Sequence, residues 1–312
     1  MREASKGVWA VIAACSIWGV APLYYKHLAY VPSGEILAHR TVWTLLMFGF
    51  VLVLQGRLAD IGALLRGPER GRLAIATLFI SVNWGMFIVG VQGGHGVEAS
   101  LGYYIFPLMA VVLGVVLLGE RLTPLQGVAV GLAAVAVAVL TYGLGVAPVL
   151  ALALAATFAV YGLLKRGLRA GAVASVTAEV LLMAPLAVGW LIAVHGGFAT
   201  EFGRAGGWFG HGLEATLMLP LSGLITGGPL ILFSWGAQRV RLSTLGLSQY
   251  LNPSLQALCA VLVAGEPFTR WHAAAFGLIW AALALYSAEM WRTAPGMLRF
   301  ILGADGRAHG AA

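Results

Sequence analysis

Four ionisable residues stand inside strongly apolar stretches of the sequence and are the first candidates for chemistry. Glu35 and His39 are four positions apart, so they share one helical face and can pair, and Arg40 follows directly. Glu179 lies in a later apolar stretch, with no basic residue within several positions. A charge at the centre of a bilayer costs about 2.5–3.5 kcal/mol on insertion scales, so embedded carboxylates usually face a cavity. We predict proton coupling or gating for these four residues; a structural clamp is the alternative for the first three.

Two prolines indicate a second candidate site. Pro107 and Pro253 fall near the middle of apolar runs, where a proline removes one helical hydrogen bond and displaces the carbonyl four residues earlier. Those carbonyls belong to Tyr103 and Gln249, and a free carbonyl at membrane depth must be buried in protein or line a cavity. Helix breaks beside a polar site are therefore predicted, with simple helix shaping as the alternative. A further break, either a gating hinge or a kink, is predicted at Gly228–Pro229.

The elements that carry these residues are predicted from composition. Hydrophobic residues make up 60% of the chain and charged residues 10%, against about 45–50% and about 25% in soluble proteins. The solvent is therefore a bilayer, and each crossing needs roughly 20 apolar residues. Ten runs meet this requirement and predict an all-α membrane protein with ten transmembrane helices, at about 7–28, 34–54, 73–92, 97–118, 124–142, 147–165, 173–195, 213–238, 243–264 and 271–290.

An internal repeat divides the ten helices into two halves. Residues 83–123 recur, shifted by 146 positions, as residues 229–269, and both copies end in Gly-Glu-x-x-Thr. Each half has five helices, an odd number, so the second half is predicted to be inverted. The predicted domains are residues 1–143, residues 146–291 and a cytoplasmic tail, 292–312, that is disordered at its end. Glu120 and Glu266 are interpreted as loop residues that precede helix N-caps at Thr123 and Thr269.

The seam between two such halves is where a solute is expected to bind. The residues predicted to contact a small-molecule solute are aromatic or carry an amide, and they lie beside the paired prolines or deep in apolar runs: Trp18, Asn83, Trp84, Tyr103, Tyr104, Gln249, Tyr250 and Asn252. Tryptophan and tyrosine also mark membrane interfaces, which is the alternative for the aromatic members.

Charge distribution and absent motifs exclude several classes of protein. The net charge is +7, and with the N-terminus inside, 15 of the 19 lysines and arginines fall on the cytoplasmic side and 3 on the other. This bias predicts that both termini are cytoplasmic, and it argues against nucleic acid as a partner. The sequence has no nucleotide-binding loop, dinucleotide fingerprint or zinc-binding spacing. We therefore predict no enzyme activity, no cofactor and no metal.

Two connections have their own signals. The segment 57–72 contains Pro68 and mixed charges and is predicted to carry a short surface helix. The segment 195–212 is rich in glycine and aromatic residues and is predicted to lie in the membrane interface.

Several strings of the sequence resemble a known family. The paired Pro…Gly-Glu-x-x-Thr endings are similar to those of the drug/metabolite transporter superfamily, whose members carry two EamA-type modules. The strings Ile17–Gly19, Pro22–Lys26, Glu35–Arg40 and Ser100–Leu108 resemble its RarD (chloramphenicol-sensitive protein) subgroup. The resemblance covers nearly the whole chain up to Trp291.

This resemblance implies a secondary transporter of small metabolites or drugs in the bacterial inner membrane. It would work by alternating access, with efflux as the favoured direction, and its partners would be a solute and the lipid bilayer, with a proton or counter-solute as candidate coupling partners. The alternatives are an integral-membrane enzyme acting on lipid-linked substrates and a non-transporting membrane protein. Inverted duplication argues against both alternatives.

Overall fold

The computed structural model describes residues 2–119, 121–165, 171–240, 245 and 248–293. Within them the chain is helical apart from its connections and one small antiparallel hairpin, β1 (Thr200–Glu201) with β2 (Arg204–Ala205). The helices are α1 (Arg2–His27), α2 (Ser33–Leu54), α3 (Leu58–Arg66), α4 (Arg70–Gln92), α5 (Gly96–Leu118), α6 (Pro124–Leu144), α7 (Val149–Lys165), α8 (Ala172–His195), α9 (Leu213–Ala237), α10 (Leu251–Leu258) and α11 (Arg270–Thr293). The all-helical fold class is confirmed.

Eight of the described helices are long and apolar enough to cross a membrane: α1, α2, α4, α5, α6, α8, α9 and α11. They match eight of the ten predicted crossings. The other two, predicted at 147–165 and 243–264, correspond to shorter apolar helices: α7, and α10 as continued by a π-helical turn at Cys259–Val263. A turn at Tyr250 separates α10 from the helical residues 248–249, and residues 241–244 and 246–247 lie outside the described residues. The inverted arrangement of ten helices stays a prediction.

The chain packs into two compact units. The first contains Met1–Phe106 and Val149–Pro267; here α1 packs against α9 and α10, α2 against α8 and α9, and α4 against α7. The second contains Pro107–Pro148 and the chain from Phe268, and in it α6 packs against α11. Every predicted site residue except Pro107 lies in the first unit. The predicted halves are defined by their opposite orientations across the membrane, which these two units do not test, so the halves stay a prediction. The predicted tail beyond residue 293 lies outside the described residues.

The predicted helix breaks are only partly present. Pro107 lies inside α5 and Pro229 inside α9, and both helices continue through their prolines, so Gly228–Pro229 does not interrupt α9 in this conformation. Pro253 lies in the first turn of α10 rather than in the middle of a span. Residues 248–249 are helical and Tyr250 forms a turn, so a break does precede Pro253. The release of the Gln249 carbonyl by Pro253 stays a prediction.

Two glycines bring α9 close to α2. A Cβ at Gly223 would lie 2.7 Å from the backbone carbonyl carbon of Trp43, and a Cβ at Gly227 would lie 2.2 Å from the end of Met47. The two glycines are four positions apart, so they form one small-residue face on α9. Such faces let membrane helices approach closely and gain van der Waals contact. This packing places Thr226 against α2.

Carboxylates bind the starts of several helices. Glu266 accepts hydrogen bonds from the N–H groups of Gly96 and Val97 at 2.8 Å each, and Glu98 accepts one from Leu150 at 2.9 Å. A helix N-terminus attracts negative charge, so these bonds fix the starts of α5 and α7. The interpretation of Glu266 as a loop residue is confirmed, and Thr123 forms the predicted N-cap, with Gln126. Glu120 lies outside the described residues.

The two connections, residues 57–72 and 195–212, contain regular secondary structure. The short helix predicted in the segment 57–72 is present as α3. The segment 195–212 contains the hairpin of β1 and β2. Glu201 of this hairpin bonds to the N–H of Gly34 at 2.6 Å and to the hydroxyl of Ser33. The connection between α8 and α9 is therefore tied to the start of α2.

Candidate functional site

Arg40 forms the first of two buried charged centres. It is the eighth residue of α2, and its side chain is only 7% exposed. Its Nε donates a hydrogen bond of 2.6 Å to Oγ1 of Thr226 on α9. Its guanidinium carbon lies 3.8 Å from the centre of the Trp84 ring on α4, a cation–π contact. Within the described residues no carboxylate pairs with Arg40. We call Arg40, Trp84 and Thr226 the Arg40 centre.

Glu35 and His39 lie on the same face of α2, as predicted, but they contact each other weakly. Their nearest oxygen and nitrogen are 3.9 Å apart, and Nε2 of His39 has no hydrogen bond among the described residues. Glu35 is fully buried and accepts hydrogen bonds from the N–H groups of Gly207 at 2.9 Å and Trp208 at 2.8 Å. Glu35 therefore holds the connection between α8 and α9.

Glu179 forms the second buried centre. It is the eighth residue of α8 and is 1% exposed. Nζ of Lys165 lies 2.6 Å from its Oε1, the hydroxyl of Tyr161 lies 3.2 Å from its Oε2, and Ser175 contacts both Glu179 and Lys165. No basic residue lies near Glu179 in the sequence, but the fold brings Lys165 to it from the preceding helix. We call Glu179, Lys165, Tyr161 and Ser175 the Glu179 centre.

A row of six aromatic rings leads to Tyr161 of the Glu179 centre. Neighbouring ring centres are 5.1–6.0 Å apart, within the usual range for aromatic pairs. In order, the rings are Tyr24, Tyr25, Phe87, Tyr103, Phe158 and Tyr161.

Asn83 orients one ring of this row. It is fully buried, and its Nδ2 donates to the carbonyl of Leu154 and to Oγ1 of Thr157, each at 2.9 Å. Its Oδ1 accepts from the hydroxyl of Tyr103 at 3.2 Å. An amide engaged in this way has little capacity left for a ligand. The geometry favours Asn83 as a positioning residue for Tyr103.

The remaining predicted contact residues lie on α1, on α5 and around α10. Trp18 is half-buried against Phe233, with ring centres 5.8 Å apart. Tyr104 is 1% exposed; its hydroxyl bonds to Ser254 and its ring stacks on Tyr250 at 6.3 Å. Tyr104 is therefore enclosed by α10 in this conformation. Gln249 is exposed, and Oδ1 of Asn252 accepts a hydrogen bond from Gln256 at 2.9 Å.

Sequence reasoning missed three residues of these clusters. Lys165 is one of the 15 lysines and arginines assigned to the cytoplasmic side, but the sequence does not indicate its partner, and Thr226 has no signal of its own. Gln256 lies one helical turn after Asn252, and its Oε1 is enclosed without a hydrogen bond among the described residues. In the described part of the chain, no three side chains of histidine, cysteine, aspartate or glutamate lie close enough together to hold a metal ion.

Comparison with known proteins shows which family this chain belongs to. The EamA-like transporter family matches residues 5–142. Protein RarD of Streptomyces exfoliatus is 43% identical over 298 residues, 94% of this chain and 91% of that protein. Protein RarD of Escherichia coli K12 is 36% identical over 91% of this chain and 95% of its own, and an uncharacterized transporter of Vibrio cholerae is 38% identical over 92% and 94%.

One solved crystal structure shares the fold. It superimposes with a TM-score of 0.56 at 22% identity, covering 90% of this chain and 96% of that chain. Three findings indicate the same class of protein. The chain is similar to RarD proteins over more than nine-tenths of its length, it has apolar helices long enough to cross a membrane, and those helices contain buried charges. The chain is a multi-pass membrane protein of the EamA-like transporter family and belongs to its RarD group.

Proposed function

We propose that the protein is a secondary transporter that exports small organic solutes across the bacterial inner membrane by alternating access. The observation that carries this proposal is Arg40, a buried charge on a membrane-crossing helix that no carboxylate of the described residues neutralises. Ionisable groups inside membrane helices are costly, and they mark solute and ion pathways. Relatives that are named as transporters support the same function.

The solute is proposed to contact Arg40, Trp84 and Tyr103. The Arg40 centre joins α2 and α4, which belong to the first predicted half, to Thr226 of α9, which belongs to the second. A site built from both repeats is what alternating access around a fixed site requires. Tyr104 is enclosed here, so its predicted contact with the solute belongs to the other conformation of the cycle.

Both termini are proposed to lie in the cytoplasm, because 15 of the 19 lysines and arginines then lie on that side. In this orientation the Arg40 centre lies toward the outer surface and the Glu179 centre toward the inner surface. Glu179 is proposed to couple transport to protons. In one state its carboxylate pairs with Lys165, and in the other state the carboxylate is protonated and the pair is broken. An enzyme acting on lipid-linked substrates is less favoured, because Glu35, its nearest candidate acid, already binds two backbone N–H groups.

The test is solute counterflow in proteoliposomes loaded with amino acids, drugs or metabolites in turn. At least one solute is expected to accumulate, and Trp84→Ala is expected to slow its exchange about tenfold, because the ring covers the guanidinium. Trp9→Ala is the matched control, since Trp9 is 67% exposed. In the same liposomes Glu179→Gln is expected to remove dependence on a pH gradient. Folded protein that exchanges none of these solutes would overturn the proposal.

A further inference from the structure

The charge of Arg40 lacks a counter-charge in the part of the chain that the structure describes. The nearest carboxylate along α2, that of Glu35, is engaged by the N–H groups of Gly207 and Trp208. The carboxylate of Glu179 is engaged by Lys165. Thr226 and Trp84 contact the guanidinium, but both are neutral. A buried cation without an anion is costly, so the Arg40 centre is complete only when an anion enters it.

The two Nη groups of Arg40 are free to bind such an anion. Among the described residues, Arg40 donates a hydrogen bond only through Nε. In the described part of the chain, the side-chain nitrogen and oxygen atoms that are both unbonded and closed off from solvent belong to His39, Trp43, Thr44, Trp190 and Gln256. Because the Nη atoms of Arg40 are not in that set, they border accessible space. Thr226 and the Trp84 ring fix the orientation of the guanidinium, so both Nη groups are held ready in one direction.

We propose that these two Nη groups bind the carboxylate of the transported solute and that the solute is a small aromatic monocarboxylate. This inference rests on the proposed transport function and adds the class of substrate. A planar guanidinium with two free N–H groups matches a carboxylate in a bidentate pair. One positive charge balances one negative charge, whereas a dianion such as a phosphate ester would leave an excess charge buried. The Trp84 ring, which stacks on the guanidinium, provides aromatic surface beside the bound carboxylate for the rest of the solute.

The chain contains a matched control for Arg40. The guanidinium carbon of Arg239 lies 3.8 Å from the centre of the Trp235 ring, the same distance as between Arg40 and Trp84. Arg239 differs because it is 31% exposed and lies 3.5 Å from the carboxylate of Glu3. A charge that is already paired and solvated has no need of a ligand. Comparing the same substitution at Arg40 and at Arg239 therefore separates the effect of an unpaired charge from that of cation–π stacking.

The experiment measures the thermal unfolding of the purified full-length chain in detergent with three probes of similar shape: phenylacetate, phenylacetamide and phenethylamine. A ligand that binds the native state raises the melting temperature, and the rise grows with the logarithm of its concentration divided by its Kd. Phenylacetate is expected to raise it, and the neutral amide and the cationic amine are expected to do so far less. Arg40→Gln is expected to weaken phenylacetate binding about 10- to 100-fold, as expected for a lost hydrogen-bonded charge pair. Arg239→Gln is expected to bind phenylacetate like the parent.

Arg40→Lys covers the case in which Arg40→Gln fails to fold. It keeps the charge but loses the planar fork, so it is expected to bind phenylacetate with intermediate affinity. The anion assignment is overturned if phenylacetate produces no shift, or if folded Arg40→Gln prefers phenylacetate over its amide as strongly as the parent does. Counterflow of amines or neutral solutes alone would reject this inference and leave the transport function intact. Phenylacetate binding through Arg40 without counterflow of any solute would reject the transport function and leave the anion site.

Discussion

The two buried centres of the first compact unit differ in how their charges are balanced. Arg40 is the eighth residue of α2, and Glu179 is the eighth residue of α8, the helix that corresponds to α2 in the predicted repeat. Glu179 has its counter-charge inside the protein, in Lys165 at 2.6 Å. Among the described residues, Arg40 contacts only a hydroxyl group and an aromatic ring, and neither carries a charge. The Glu179 centre is therefore closed by the chain itself, whereas the Arg40 centre is open to a ligand.

Breaking the closed centre is expected to have the largest effect on stability. Lys165→Met leaves Glu179 buried without a partner, a change that costs about 3–5 kcal/mol when both groups are fully buried. The side chain of Lys165 is 22% exposed, so we expect a loss near the lower end, about 3 kcal/mol, in the free energy of unfolding measured by denaturant titration in micelles. The control is the double variant Lys165→Met, Glu179→Leu, which should recover most of the loss. Equal instability of both variants would show that the ion pair is not the cause.

Separating α2 from α9 is expected to have an intermediate effect and to disturb the open centre. A Cβ at Gly223 would meet backbone atoms of Trp43 at 2.7 Å, and backbone cannot move aside as a flexible side chain can. Gly223→Ala is therefore expected to cost about 1–3 kcal/mol in the free energy of unfolding and to move Thr226 away from Arg40. At Gly228 nothing lies within 4 Å of the new Cβ, so Gly228→Ala is the control and should not destabilise the helix. Similar losses at the two positions would contradict the close approach of α2 and α9.

Removing the charge of Arg40 is expected to have the smallest effect on the free energy of unfolding. Arg40→Met loses the bond to Thr226, about 1 kcal/mol, but it also removes an unpaired buried charge. The unliganded variant is therefore expected to unfold within about 1 kcal/mol of the parent in the same titration. A loss as large as that of Lys165→Met would mean that Arg40 already has a counter-charge. That result would remove the distinction between the two centres.

The sequence predicted the positions of the helices well because apolar runs of membrane length are a strong signal. It also identified Glu35, Arg40 and Glu179, because charges in such runs are conspicuous. It did not predict their partners, because Thr226 and Lys165 come from other helices and only packing brings them near. Hydropathy also cannot show the turn at Tyr250, which places Pro253 in the first turn of α10 within the predicted run.

The bonds of α2 also have a consequence for the order of synthesis. Glu35 is bound by Gly207, which lies 172 residues later in the chain, and Arg40 is bound by Thr226, which lies 186 residues later. When α2 leaves the ribosome and enters the membrane, neither partner exists. The carboxylate and the guanidinium must therefore remain near water, or with the insertion machinery, until α9 is made. Residues 1–143 expressed alone would lack these partners of Glu35 and Arg40, so the predicted first half is expected to depend on later helices for its assembly.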